Sequence, residues 1–221
     1  VSFYSSFLKS ANLIFDIGAY DGHKTAAFLS LSKKIVCCEP DEENARLLRI
    51  RFRRQHARVF VEQVAIAENT GTRSYYIHHP GSAFNTISAR WKNILEADDG
   101  KKWNENIHFT DKRDILCSTL DLMIAKWGQP DFIKIDVEGA ELSVFKGLSV
   151  AVKAVSFESL WPEYREQMWE CMQILARLDN NYRFNIAVDE KLVMPEFVTA
   201  SSIVEFLQEK PLTHIEIIAR K

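Results

Sequence analysis

The chain has 221 residues, 47% hydrophobic and 26% charged, an ordinary globular composition and enough length for an α/β core on both faces of a sheet. Its 28 Lys and Arg against 30 Asp and Glu leave a formal net charge of -2, which shows neither the basic excess of a nucleic-acid binder nor the acidity of a disordered chain, so nucleic acid is disfavoured as a partner. No run reaches the ~18 apolar residues of a membrane span. The four cysteines (Cys37, Cys38, Cys117 and Cys171) fit neither a disulfide framework nor a zinc knuckle, and read as buried thiols of a cytoplasmic, reducing setting. No signal peptide is expected ahead of the first strand; the opening residue is Val1, as in a processed product or a domain of a longer protein.

Residues 13–17 (LIFDI) predict a short buried parallel strand, and residues 24–31 the helix after it. Residues 34–38 (KIVCC) predict a second buried strand. Asp41 is placed as N-cap of the next helix, with Ala45, Leu48 and Phe52 on one face and Arg46, Arg49, Arg53 and Arg54 around it. Residues 58–64 predict a third strand, and residues 73–78 (RSYYIH) an exposed, antiparallel one after the turn at Asn69-Thr70-Gly71. Residues 80–113 lack sustained periodicity and are expected to be irregular. A short helix at 119–126, a fourth strand at 132–137, a helix opening at 140–145 and a fifth strand at 154–157 follow. A long amphipathic helix at 164–178 and late strands at 183–188 and 215–219 complete the chain. This alternation implies a doubly wound, mostly parallel sheet with helices on both faces and a ligand site beyond the carboxyl ends of the strands. Residues 1–221 are read as a single domain whose variable substrate or lid segment lies at about 80–113.

The first strand closes on Asp16-Ile17-Gly18-Ala19-Tyr20-Asp21-Gly22. The glycines are spaced GxxxG rather than GxGxxG, and Asp16 is a poor neighbour for a pyrophosphate but a good one for a cationic or amino-acid-bearing ligand. This favours S-adenosylmethionine over NAD. Glu39, followed by Pro40, ends the second strand 23 residues beyond Asp16, where a carboxylate can accept from two ribose hydroxyls. Gln63, Val64 and Ala65 are the candidates to meet an adenine edge. In Ile133-Lys134-Ile135-Asp136-Val137-Glu138-Gly139-Ala140-Glu141, Asp136 ends the fourth strand facing the cleft and Glu138 sits in the turn. Glu141 is read as a first-turn helix carboxylate. Glu158 ends the fifth strand in the same manner.

FDIGAYDG, the CEP after the second strand, STLDLMI, DFIKIDVEGAELSVFKG and VSFES together resemble the FkbM family of methyltransferases, from about Leu13 to Glu158. The resemblance implies a class I methyltransferase (Rossmann-like) fold: seven strands, the last antiparallel. It also implies S-adenosyl-L-methionine as methyl donor, S-adenosyl-L-homocysteine as product, and transfer to a hydroxyl of a small molecule, sugar, glycan or polyketide. The family's first loop commonly reads D-x-G-A-N-x-G; here Tyr20 stands in the Asn position.

In-line transfer from a sulfonium requires alignment and, for a hydroxyl, a base. Asp136 is the first candidate, then Glu138 and Glu158, with His78 or His79 also in range. A divalent metal on Asp136, Glu158 and one His is the less favoured arrangement. Phe84, Trp91, Trp103 and Phe109 are candidates to line an acceptor pocket, and Trp161-Pro162-Glu163-Tyr164 another wall. Arg90, Lys92, Lys101, Lys102, Lys112 and Arg113 make the segment locally basic, as for a phosphorylated, sulfated or uronic substrate or a solvated lid. The alternatives are a catalytically inactive binding module on this fold and an NAD-dependent oxidoreductase, which lacks its glycine turn here.

Overall fold

The computed structural model describes residues 2–98, 103, 106–210 and 212–221. After α1 (Ser2–Ser5), the chain alternates β1 (Ala11–Ile17), α2 (His23–Phe28), β2 (Ser32–Cys38), α3 (Glu42–Arg51) and β3 (Val59–Glu62). A side sheet follows: β4 (Ala65–Ile66), β5 (Gly71–Ile77), α4 (Ala89–Ala97) and β6 (Asp111–Ser118). The main sheet then resumes through α5 (Leu120–Trp127), β7 (Phe132–Ile135), α6 (Glu141–Lys146), β8 (Ala154–Leu160) and α7 (Arg165–Leu178). It finishes with β9 (Arg183–Val188), β10 (Lys191–Leu192), α8 (Ala200–Glu209) and β11 (His214–Arg220).

The main sheet has eight strands in the order β10-β9-β11-β8-β7-β1-β2-β3. Without the two-residue β10 it is the expected seven, with β11 antiparallel to both β8 and β9. β1 lies between β2 and β7 and is parallel to both. The chain therefore reverses its direction of travel across the sheet at β1, and a crevice opens beyond the strand ends there.

Period-2 alternation divides the strands between two cores. Phe15, Ile17, Ile133, Ile135, Val155 and Phe157 face α6, α7 and α8 through Val144, Phe145, Met172, Leu175 and Ile203. Ile14, Ile35, Cys37, Phe132 and Ile218 face α1, α2 and α3 through Tyr4, Phe28 and Leu48. The four cysteines are buried free thiols. Asp41 caps α3 as expected, its Oδ1 accepting from the backbone of Glu43 at 3.0 Å and Asn44 at 3.2 Å. Among the described residues, no helix is long and apolar enough to cross a membrane.

The described parts of residues 80–113 hold more regular structure than their sequence suggests. Ser88 caps α4, accepting from Trp91 N at 3.1 Å, and Trp91 and Leu95 bury themselves against Leu160 and Tyr164. Only that one pair of anchors marks the helix, so no long periodicity shows. β6 escapes notice for a related reason: its first four residues are exposed and charged or polar, and pairing with β5 rather than burial holds them. α8 also adds to the expected elements, capped by Thr199 and buried through Ile203 and Leu207.

The tips of β1 and β7 touch backbone to backbone. Asp136 N donates to Ile17 O at 2.9 Å, and Gly18, at φ 77, lies so close that a Cβ there would sit 1.7 Å from the Asp136 carbonyl oxygen. Only glycine satisfies both the dihedral and the space. Gly18→Ala is expected to destabilise the fold by at least ~2 kcal/mol in urea unfolding; a variant as stable as its parent would contradict this contact.

Candidate active site

Two clefts open side by side beyond the strand ends. The narrower, about 130 Å³, is lined by Gly18, Tyr20, Glu39 and Pro40, by Val64, Ala65 and Ile66, and by Tyr75, Ser82, Asn85, Thr86, Asp136 and Glu138, among others. The wider, about 500 Å³, runs over β8, β11 and β9 and is walled by Phe84, Trp91, Trp103 and Tyr164 on one side and by Glu138, Glu158 and Glu216 on another. Glu138 belongs to both.

Glu39 is the anchor of the narrow cleft. It is buried, and its carboxylate accepts from Tyr20 N at 2.8 Å and Asp41 N at 2.9 Å. Burial pushes its pKa up to about 7, with the two backbone N–H groups pulling the other way. One such bond per oxygen leaves each with a lone pair for a ligand hydroxyl. Tyr20 contributes its backbone here. Its φ of 47 is the left-handed geometry that the family's Asn tolerates well, while its side chain is largely exposed.

Residues 82–88 cover this cleft and are pinned at their middle from two sides. Asn85 Nδ2 donates to Asp41 Oδ2 at 3.0 Å, and Thr86 Oγ1 donates to the Glu138 carbonyl at 2.7 Å. Ser82, Asn85 and Thr86 are all buried, and sequence reasoning singled out none of them.

At the β7 tip, Lys134 Nζ binds Asp136 Oδ2 at 2.6 Å. Lys134 is 4% exposed. Burial alone would lower its pKa, but the carboxylates of Asp136, Asp16 and Glu158 outweigh it and hold the ammonium above its ordinary value. The signal for Lys134 was present in the sequence as the lone charge within the apolar FIKI run. The following turn places Glu138 at φ 55 and Gly139 at φ 81, and Glu141 Oε1 clasps it from α6, accepting from Val137 N at 3.1 Å and Gly139 N at 3.2 Å. Glu141 thus has the structural role expected of it; burial lifts its pKa to about 7. A Cβ at Gly139 would meet Tyr164 Oη at 2.5 Å and Trp91 Cβ at 2.8 Å, so the turn sits directly against the aromatic wall.

Burial, reinforced by Asp136, raises the pKa values of Glu138 and Glu158, with Glu158 adding to the effect on Glu138 and Glu216 to that on Glu158. Glu158 is open to the wide cleft yet recessed within it, which is why desolvation still acts on it. Both therefore hold protons more readily than ordinary carboxylates, as a base working near neutrality must.

The expected site residues divide into those on the cleft walls and those behind them. Gly18, Tyr20, Glu39, Pro40, Val64, Ala65 and Asp136 line the narrow cleft. Asp16 lines neither: it is fully buried, accepts from Thr25 Oγ1 at 2.5 Å and pairs in register with Lys134, and burial raises its pKa. Ala19 is buried behind the loop, Gly22 packs against Leu48 and Phe52, and Gln63 is exposed beside Arg49. His78 and His79 line neither cleft and face the backbone oxygens of His108 and Pro80. Trp161 belongs to the core, whereas Tyr164 reaches the wide cleft. Phe109 packs behind the aromatic wall.

None of the described basic residues of the segment lines either cleft, although Arg90 lies over the ring of Tyr164 on the aromatic wall. Arg90 donates to Glu163 O at 2.5 Å, Lys92 binds Glu96, Lys112 lies over the Tyr76 ring and Arg113 binds Asp111 at 2.9 Å. Lys101 and Lys102 lie outside the described residues. Among the described residues, no group of three or more His, Cys, Asp or Glu is placed to hold a metal ion.

The family profile described as Methyltransferase FkbM domain matches residues 16–186, a span that contains Glu39, Lys134, Asp136, Glu138 and Glu158. Among solved structures, the methyltransferase FkbM from Methylobacillus flagellatus KT has a TM-score of 0.60 at 17% identity over 99% of this chain and 46% of its own. This chain thus spans less than half the length of that one, and the likeness is one of fold. More distant are the precorrin-6y C5,15-methyltransferase from Geobacter metallireducens GS-15, with a TM-score of 0.48 at 11% identity over 100% of this chain and 85% of its own, and the ribosomal protein L11 methylase from Lactobacillus delbrueckii subsp. bulgaricus, with 0.46 at 13% over 100% and 75%. A search of curated proteins finds no match. With a family profile spanning most of its length and a strand order to match, the chain belongs to the FkbM family of methyltransferases.

Proposed function

We propose that the narrow cleft takes S-adenosylmethionine, that the wide cleft takes the acceptor, and that the group methylated is a hydroxyl on a small molecule, sugar, glycan or polyketide. The observation that carries this reading is Glu138, whose position on the edge common to both clefts lets a donor in one meet an acceptor in the other.

The residues present fit the cofactor. Glu39 has lone pairs left for two ribose hydroxyls. Val64, Ala65, Ile66 and Tyr75 offer an apolar slot for adenine, and Asp136 and Glu138 offer negative charge towards its cationic end. When bound, it supplies a methyl carbon on a sulfonium leaving group.

The protein's task is then alignment, which supplies ~7–11 kcal/mol in favourable cases. The cofactor would supply the methyl to the acceptor oxygen and leave as the neutral thioether, while the acceptor's hydroxyl proton would pass to a carboxylate of this chain. Glu138 is best placed to receive that proton, with Glu158 next. Asp136, held by Lys134, fixes the electrostatics of the junction. Asp16 is a positioning residue that acts through Thr25 and Lys134.

Two outcomes test this assignment. Glu39→Gln is expected to weaken S-adenosylhomocysteine binding in calorimetry by about tenfold or more, the scale of a hydrogen bond to a charged group. In the parent, affinity should fall as pH drops through about 7, because protonation removes an acceptor from Glu39, and the variant should lose that pH dependence. Undiminished affinity in the variant would remove Glu39 from the cofactor site. Glu138→Gln is expected to slow turnover ~10²–10⁴-fold in a protein that still binds S-adenosylhomocysteine; full turnover would exclude Glu138 as the base.

A further inference from the structure

The wide cleft has an electrostatic character that methyl transfer alone does not require. Glu158 and Glu216 are direct cross-strand partners on β8 and β11, a like-charged pairing that sheets ordinarily avoid. Asp189, in the turn after β9, adds a further carboxylate to the same cleft. Lys24 is the one Lys or Arg among the described lining residues, and Glu190 already takes it at 2.5 Å. Burial and the neighbouring carboxylates raise the pKa of Glu158 and Glu216 although Lys134 pulls both the other way.

The opposite wall is aromatic, with Trp91 6.0 Å from Trp103 and 5.9 Å from Tyr164, centroid to centroid. Trp91 is 6% exposed and anchors this wall. Aromatic faces attract cations and pack against apolar ring faces. The carboxylates repel phosphate, sulfate or uronate groups and attract an ammonium.

Resting on the acceptor-cleft assignment above, we propose that the acceptor is a polyhydroxylated amine, of the amino-sugar or aminocyclitol class. Its ammonium faces Glu158, Glu216 and Asp189, and its ring lies on the aromatic wall. The phosphorylated, sulfated or uronic substrate suggested by the basic segment is thereby replaced by one of opposite charge.

The test uses three trisaccharides on the full chain saturated with S-adenosylhomocysteine: a glucosamine trimer, its N-acetylated neutral counterpart and a galacturonate trimer. Calorimetry is expected to show the glucosamine trimer binding about tenfold tighter than the neutral one, no binding of the galacturonate, and an advantage that shrinks as salt rises. Asp189→Asn, which keeps a residue suited to φ 49, should reduce that advantage severalfold without changing S-adenosylhomocysteine affinity. Equal or weaker binding of the glucosamine trimer, or binding of none of the three, overturns the proposal. The prior titration with S-adenosylhomocysteine separates the two failures: its absence of binding removes the cofactor assignment, while cofactor binding without cation preference removes only the acceptor class.

Discussion

Lys134 is the interaction on which this end of the molecule depends. Parallel strands bring the carboxylates of Asp16, Asp136 and Glu158 to neighbouring tips, close enough for all three to act on Lys134. A single ammonium within the sheet compensates them, and they in turn keep it charged. The ion pair with Asp136 is buried on the lysine side and partly open on the aspartate side. Removing either partner would leave an uncompensated charge, which is the costly way to break such a pair.

From that compensated floor the rest of the site follows by backbone geometry. Gly18 lets the β1 loop press onto the Asp136 carbonyl, and the left-handed turn at Glu138 and Gly139 carries the next carboxylate to the junction of the clefts. Glu141 and Thr86 then hold that turn from opposite sides. Glu138 owes its position to backbone contacts on every side, so the most consequential carboxylate is also a tightly placed one.

Much of this was legible in the sequence because it is local. Buried strands announce themselves as apolar runs, Glu39 and Asp136 stand one residue beyond theirs, and Asp41 caps its helix within three residues. What escaped notice depends on distant partners. Asn85 finds Asp41 across 44 residues and Thr86 finds Glu138 across 52, so the polar stretch around them reads as loop although it is buried. Asp16 was expected on a cleft wall, but Thr25 and Lys134 absorb it into the interior. The sign of the acceptor cleft was likewise hidden: Arg90, Lys92 and Arg113 find partners of their own, and β8, β9 and β11 supply the carboxylates. Net charge along a segment therefore misled about the charge of the surface it helps enclose.

Two clefts meeting at one carboxylate are the centre of the account. A crystal structure of the protein with S-adenosylhomocysteine tests this most directly. The account predicts ribose hydroxyls on Glu39 and the ligand sulfur beside Glu138, facing the aromatic wall of the wide cleft. A nucleoside seated away from Glu39, or a sulfur turned from the Glu138 edge so that no acceptor in the wide cleft could reach its methyl, would contradict it.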